Sequence, residues 1–151
     1  MDVLERIEIK LTRDIVFDKF VKHLNDWWPK EYTWSGDKLS EIRIEGRENG
    51  LCTEIGPFNF RCDWGRVLTL NPGERIHFKW QISHKREPVP DSDQASDVEV
   101  NFIEESKHTV VKLHHFNFRN HGEGADEYAT MMGDQYGWPY ILNSFKHFCE
   151  D

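Results

Sequence analysis

Apolar and polar residues alternate along most of this chain. From Val3 to Leu11, Ile7, Ile9 and Leu11 alternate with Glu8 and Lys10, the mark of a strand with one wet face. Ile15, Phe17, Phe20, Val21 and Leu24 then fall at mixed helical spacing, behind Thr12 or Asp14 as a cap. Asn25-Asp26 ends that segment or caps a further turn before Trp27-Trp28-Pro29, and helix does not readily continue into the residue before a proline. Ile42 and Ile44 alternate with charged neighbours, Glu48-Asn49-Gly50 supplies a turn, and Leu51 to Ile55 returns. Gly56-Pro57-Phe58-Asn59 turns into a long strand, Phe60 to Leu70, which ends at the hairpin signal Asn71-Pro72-Gly73-Glu74. Ile76, Phe78, Trp80 and Ile82 alternate with Arg75, His77, Lys79 and Gln81, the cleanest half-buried strand of the sequence.

Ser83 to Ala95 is a polar connector. Val98, Val100 and Phe102 mark one more strand, and Thr109, Val111, Leu113 and His115 form the inward set of the last. Asn117 to Gly124 reads as a loop and Ala125 to Met132 as a short helix with Tyr128, Ala129 and Met132 on one side. The final stretch changes period. Trp138, Ile141, Leu142, Phe145, Phe148 and Cys149 make a helical stripe, with Asn143, Ser144, Lys146 and His147 opposite, and Pro139 fits only in a first turn. The order is strand, two short helices, about six antiparallel strands and a long helix, an α+β arrangement in one domain spanning 1–151. An antiparallel sheet can leave one face wet, but the other needs cover, and the terminal helix has the matching stripe.

Composition narrows the function classes. With 27 acidic and 19 basic residues the net charge is -8, so a phosphate backbone is repelled and nucleic acid is not expected as a partner. No apolar run reaches membrane-spanning length, and Met1 to Arg6 lacks a signal-peptide pattern, so a cytoplasmic protein without membrane insertion is expected. Cys52, Cys62 and Cys149 have no zinc-site spacing; Cys52 and Cys62 are placed to meet across a hairpin, but a reducing compartment argues against a stable bridge.

A set of ordered motifs is more specific. Trp27-Trp28, Asp63-Trp64-Gly65-Arg66-Val67, Asn71 to Trp80, Ser96 to Phe102, Thr109 to His115 and Gly137-Trp138-Pro139 occur in the order of one family. The chain resembles the homologues of the activator of the heat-shock-protein-ninety ATPase, within the START-like (SRPBCC) superfamily. The resemblance covers nearly the whole chain. It implies a helix-grip fold, in which a curved antiparallel sheet wraps around a long C-terminal helix over a hydrophobic cavity. It also brings in ligand carriers, resistance proteins that sequester small molecules, cyclases and hydroxylases, so fold alone does not select an activity.

The expected cavity lining is Trp28, Trp64, Phe78, Trp80, Phe102, Leu113, His115, Trp138, Ile141, Leu142 and Phe145. Of the adjacent Trp27 and Trp28, at most one is expected to be fully in the core, the other lining an opening. The aromatic members offer flat surface to an apolar ligand, or else plain core packing. Adjacent strand residues project to opposite faces, so His114 and His115 cannot share a metal, and no metal or other cofactor is expected. His115, directed inward, either orients a ligand, transfers a proton, or is a hydrogen-bonded core histidine. His121 to Glu127 holds several potential ligands but also reads as a solvated turn with acids at a helix start. The facing of Cys62 to Val67 stays open because a bulge at Gly65 would change it. No nucleophile–base motif, phosphate loop or paired-carboxylate signature is present. The leading expectation is noncatalytic binding of a small, largely hydrophobic (lipid-like) molecule between sheet and helix. The alternatives are a cyclase- or hydrolase-type enzyme using His115, and a chaperone-interacting domain. A homodimer patch is placed at Trp27, Trp34 or the connector 83–95.

Overall fold

The computed structural model describes residues 1–151. Seven strands form one antiparallel sheet: β1 (Val3–Ile9), β2 (Glu41–Ile44), β3 (Leu51–Ile55), β4 (Arg61–Asn71), β5 (Arg75–Trp80), β6 (Ser96–Glu105) and β7 (His108–Phe116). Their order across the sheet is β1-β7-β6-β5-β4-β3-β2, so the chain crosses from one edge to the other between its first two strands and then returns by hairpins. That crossing is made by α1 (Arg13–Lys22), α2 (Leu24–Trp27) and two single 3-10 turns. After β7 come α3 (Ala125–Gly133) and α4 (Trp138–Glu150). The sheet curves into a half-barrel around α4, the helix-grip arrangement. No helix is long and apolar enough to cross a membrane.

Strand alternation sets the inner face. Ile76, Phe78 and Trp80 of β5 point inward with Val98, Val100 and Phe102 of β6 and Val111, Leu113 and His115 of β7, all buried. His114 points the other way, where it stacks on Phe116 and its Nε2 bonds Asp2 at 2.8 Å. In α4, Trp138, Ile141, Leu142, Phe145 and Cys149 are buried while Asn143 and His147 are exposed. Phe148 is only half-buried, its ring lying under the Lys19 ammonium at 4.8 Å, and Lys146 is half-buried as well. The helix starts at Trp138 because Gly137 closes the α3–α4 junction: a Cβ at Gly137 would run into the carbonyls of Met131 and Met132.

Two irregularities in β4 explain why its facing could not be read from alternation. Opposite the Cys52–Thr53 step β4 carries an extra residue, Trp64, since Cys52 pairs with Gly65 and Thr53 with Asp63. Cys62 and Trp64 are therefore buried, and so are Gly65 and Val67, with the parity changing at the bulge. A Cβ on Gly65 would lie 2.6 Å from the Lys79 carbonyl and 3.0 Å from the Cys52 sulfur, so this crossing requires glycine. A second shift skips Leu68, which is exposed. Cys62 pairs with Glu54 rather than with Cys52, so the two thiols are not cross-strand partners.

Trp27 and Trp28 are both buried, Trp27 in the core and Trp28 beside an opening, as expected of one of the pair. The cause is the end of α2. Trp27 is its last residue and packs on Phe20 and Phe145, whereas Trp28 is extended (φ -65°, ψ 131°) and turns its ring toward Trp64, Trp80 and Trp138. Burial removes Trp27 as a dimer contact; Trp34 is partly exposed.

Candidate functional site

The space between the sheet and the middle of α4 is filled. Phe145 sits edge-on to Phe20 at 5.2 Å, Phe20 in turn on Phe102 at 5.6 Å, and Trp64 on Phe78 at 6.1 Å. With Leu113 and Leu142 these side chains belong to one continuous core. The cavity lies beyond them, at the N-terminal end of α4, and measures ≈ 380 Å³. Small-molecule sites span about 300–1,000 Å³, and this cavity falls at the small end of that range.

Of the residues expected from sequence to line a cavity, Trp28, Trp80 and Ile141 border this one. Trp64, Phe78, Phe102, Leu113, His115, Trp138, Leu142 and Phe145 do not; all are buried in the interior. The other lining residues come from loops, from α3 and from the α3–α4 junction: Glu31, Tyr32, Thr33 and Trp34 on one side, Ile82 and Arg86 next to them, Tyr128, Met131, Met132, Asp134, Tyr136 and Gly137 on the other. Ten of the fifteen lining residues are hydrophobic.

Tyr128 fixes one wall. Its hydroxyl accepts from Trp80 Nε1 at 2.7 Å and donates to the Ile82 carbonyl at 2.7 Å, and burial pushes the phenol well above its ordinary range. It is thus a locked hydrogen-bond bridge between α3 and the end of β5. The opposite wall hangs on a buried carboxylate. Glu54 of β3 accepts from the Trp34 amide (3.1 Å), the Ser35 amide (2.8 Å) and the Ser35 hydroxyl (2.7 Å), so all three of its donors belong to one cavity-bordering loop. Gly56 lets this loop approach, since a Cβ there would strike the Ser35 hydroxyl. Neither feature has a local sequence signal: Glu54 reads as an ordinary strand residue, and its partners lie about twenty positions away.

His115 is part of a buried relay. The Trp138 indole can only donate, so His115 Nδ1 accepts from it (2.9 Å) and Nε2 carries the proton, which it donates to Ser96 Oγ (2.7 Å). The Ser96 hydroxyl then donates to His121 Nε2 (2.8 Å), which also takes the Ser96 amide (3.1 Å). Both imidazoles are therefore neutral. Burial, reinforced by the neighbouring His121, holds His115 well below its ordinary value; burial and then His84 depress His121 to about 4. With both ring nitrogens taken by protein groups and its ring stacked on Phe118 at 4.0 Å, His115 presents no polar atom to the cavity. No group of three His, Cys, Asp or Glu side chains converges in the manner of a metal site.

The titratable groups that border the cavity are Glu31, Tyr32, Arg86, Tyr128, Asp134 and Tyr136. Burial raises the Tyr32 phenol, Arg86 opposes that shift, and Glu31 and Asp134 add to it. Arg86, Glu31 and Asp134 thus each act on Tyr32 at the mouth. Tyr32 OH donates to the Tyr136 carbonyl (2.7 Å), and its ring packs at a tilt, 5.1 Å between centres, against Tyr140, whose hydroxyl donates to Glu31 (2.9 Å).

A curved antiparallel half-barrel gripping a C-terminal helix, with a cavity at one end of that helix, defines the helix-grip class. Within it, the chain belongs to the family described as activator of Hsp90 ATPase homolog 1-like protein, whose model matches residues 10–150. No curated protein matches the sequence. Among solved structures, an anthrahydroquinone-γ-pyrone synthase, Txn09, is 26% identical and superposes with a TM-score of 0.68 over 97% of this chain and 95% of its own. The self-sacrificing resistance protein CalC from Micromonospora echinospora is 21% identical (TM-score 0.66, covering 98% and 93%). The Aha1 dimer from Colwellia psychrerythraea is 15% identical (TM-score 0.62, covering 99% and 96%). The last two are likenesses of fold alone.

Proposed function

We propose that this protein binds a small, largely apolar molecule, and that it does so in the cavity at the N-terminal end of α4 without transforming it. The observation that carries this reading is the lining: aromatic and methionine side chains around ≈ 380 Å³, held by the Tyr128 bridge and the Glu54 clamp. Flat aromatic walls bury a planar ligand with little loss of side-chain entropy, because Trp and Tyr have few rotatable bonds. The absence of His115 and Ser96 from the lining argues against acid–base or nucleophilic chemistry by the buried relay.

A second reading has one observation in its favour, the 26% identity to a synthase over almost the whole chain. Catalysis would then fall to Glu31, Asp134 or Tyr32, since these are proton-transfer groups that border the cavity. Titration with N-phenyl-1-naphthylamine, a neutral aromatic probe whose emission rises on leaving water, tests the binding reading. Saturable binding at one site, with the probe recovered unchanged, is expected. No saturable binding would defeat the proposal, and conversion of a polyketide-like aromatic by the wild type but not by a Glu31→Gln, Asp134→Asn variant would favour the second reading.

A further inference from the structure

We propose that the molecule held in this cavity carries an acidic group on its aromatic body, and that Arg86 is the residue that recognises the anion. This rests on the binding role above and names its substrate class.

The chain is acidic, and its arginines are mostly paired: Arg6, Arg13, Arg43, Arg47, Arg61 and Arg75 each meet a carboxylate. Arg86 borders the cavity and makes neither an ion pair nor a side-chain hydrogen bond within the protein. Two carboxylates share the mouth with it, and neither forms an ion pair with it; each directs one oxygen to a donor of its own neighbourhood. Glu31 Oε2 accepts from the Tyr140 hydroxyl at 2.9 Å, and Asp134 Oδ1 accepts from the Tyr136 amide at 2.8 Å.

The backbone of Arg86 is specified too. It has φ 62°, a left-handed conformation that costs free energy in any residue with a Cβ and persists only where surrounding structure enforces it. The enforcement is visible. The Arg86 amide donates to the Ser83 carbonyl (2.9 Å), Ser83 in turn donates to the Glu87 carbonyl (2.8 Å), and the Arg86 carbonyl accepts from the Trp34 indole (2.7 Å). That last bond ties the turn to the opposite cavity wall. The guanidinium then lies 5.8 Å from the centre of the Tyr32 ring, where the ring face holds it over the mouth. A planar cation placed this way suits a carboxylate or sulfonate, which it engages through two parallel N–H donors. The apolar walls beneath fit the aromatic body of the same molecule.

Two probes with the same aromatic skeleton separate this inference from the binding role itself: anionic 1-anilinonaphthalene-8-sulfonate and neutral N-phenyl-1-naphthylamine. Each is titrated into wild type, Arg86→Gln and Arg86→Lys. The expected result is that the sulfonate binds wild type at least as well as the neutral probe. Arg86→Gln should then weaken the sulfonate about tenfold, leave the neutral probe within twofold, and remove most of the salt dependence. Arg86→Lys should recover part of the loss. Equal loss of both probes, no loss of either, or a wild type that prefers the neutral probe overturns the anion role while leaving the cavity as the binding site. If neither probe binds wild type saturably, the binding role falls and this inference with it.

Discussion

The clamp between Glu54 and the Trp34–Ser35 loop is the feature whose removal should couple fold and site most clearly. Glu54 is buried to 1% exposure and has no cationic partner; three N–H and O–H donors from the loop replace water around its two oxygens. Glu54→Gln keeps the shape but turns one oxygen into an amide donor. If the remaining oxygen stays toward Ser35, the new NH₂ faces the Trp34 amide, and one charge-assisted bond is exchanged for a donor–donor contact. A hydrogen bond to a charged group contributes about 1.5–3 kcal/mol, and leaving a buried donor unmet costs about 1–3 kcal/mol. The two ranges describe the same lost contact from its two sides and are not summed, so the expected loss is about 2–3 kcal/mol. Part of it is relieved by opening of the loop, so the global loss should be nearer 2 kcal/mol. For a chain of this size, about 2–4 °C of melting temperature per kcal/mol gives a fall of about 4–8 °C. Calorimetry measures that fall. Amide hydrogen exchange at Trp34 and Ser35 locates it, with faster exchange expected there while β6 and β7 stay protected. A melting temperature within 1 °C of wild type, together with unchanged exchange at both amides, would refute the clamp.

Phe145→Ala should cost about 3–5 kcal/mol, because the ring is fully buried between Phe20 and Trp27, whereas Lys146→Ala should cost well under 1 kcal/mol; urea midpoints compare the two. Gly65→Ala should destabilise by about 1–3 kcal/mol, since the new methyl meets the Lys79 carbonyl and Cys52 and neither can retreat, and a neutral outcome in the same assay would mean that the bulge is not fixed. Acid should act in two windows. His121 has a folded pKa of about 4, below the ordinary 6.5, so the unfolded chain binds more protons between those values and stability falls as pH drops through that range; His115, also held well below 6.5, adds a loss that starts at the same pH and continues lower. Asp97 is held at about 2: although burial alone would raise it, bonds from His77, Asn117 and Lys79 outweigh that, so its contribution persists until pH falls below about 4 and is lost toward 2. His121→Asn should reduce the loss between about 6.5 and 4 to the share that His115 contributes and leave the Asp97 window unchanged, and parallel curves for variant and wild type would disprove the assignment.

Where side-chain period is regular, the sequence was sufficient. Ile76, Phe78 and Trp80 face the core as their parity requires, and the α4 stripe from Trp138 to Phe145 is the helical face that the sheet grips. Parity failed at β4, because a bulge at Trp64 and a skip at Leu68 each reset the count without altering the run of apolar residues. The site was legible only in part. Period identifies the inward face but not whether neighbours across the interior fill the space, so Phe102, Leu113 and Phe145 were as eligible for a cavity wall as Trp28 and Trp80. What separates them is position along α4. The cavity forms where Gly137 turns the chain and loops take over from strands, and its remaining lining, notably Tyr32, Trp34, Arg86 and Tyr136, sits in loops with no period to read.

The central claim is that ligand enters the cavity at the N-terminal end of α4, not a gap deeper under the helix. Ile82 borders that cavity and is half-buried, so Ile82→Trp adds bulk into it without overpacking the core behind. Leu4 lies on the outer face and is 72% exposed, which makes Leu4→Trp the matched control. Titration of both variants with N-phenyl-1-naphthylamine, at melting temperatures within a few degrees of wild type, should show affinity lowered at least tenfold in Ile82→Trp and unchanged in Leu4→Trp. Equal affinity in the two variants would contradict the account and move the binding site elsewhere on the molecule.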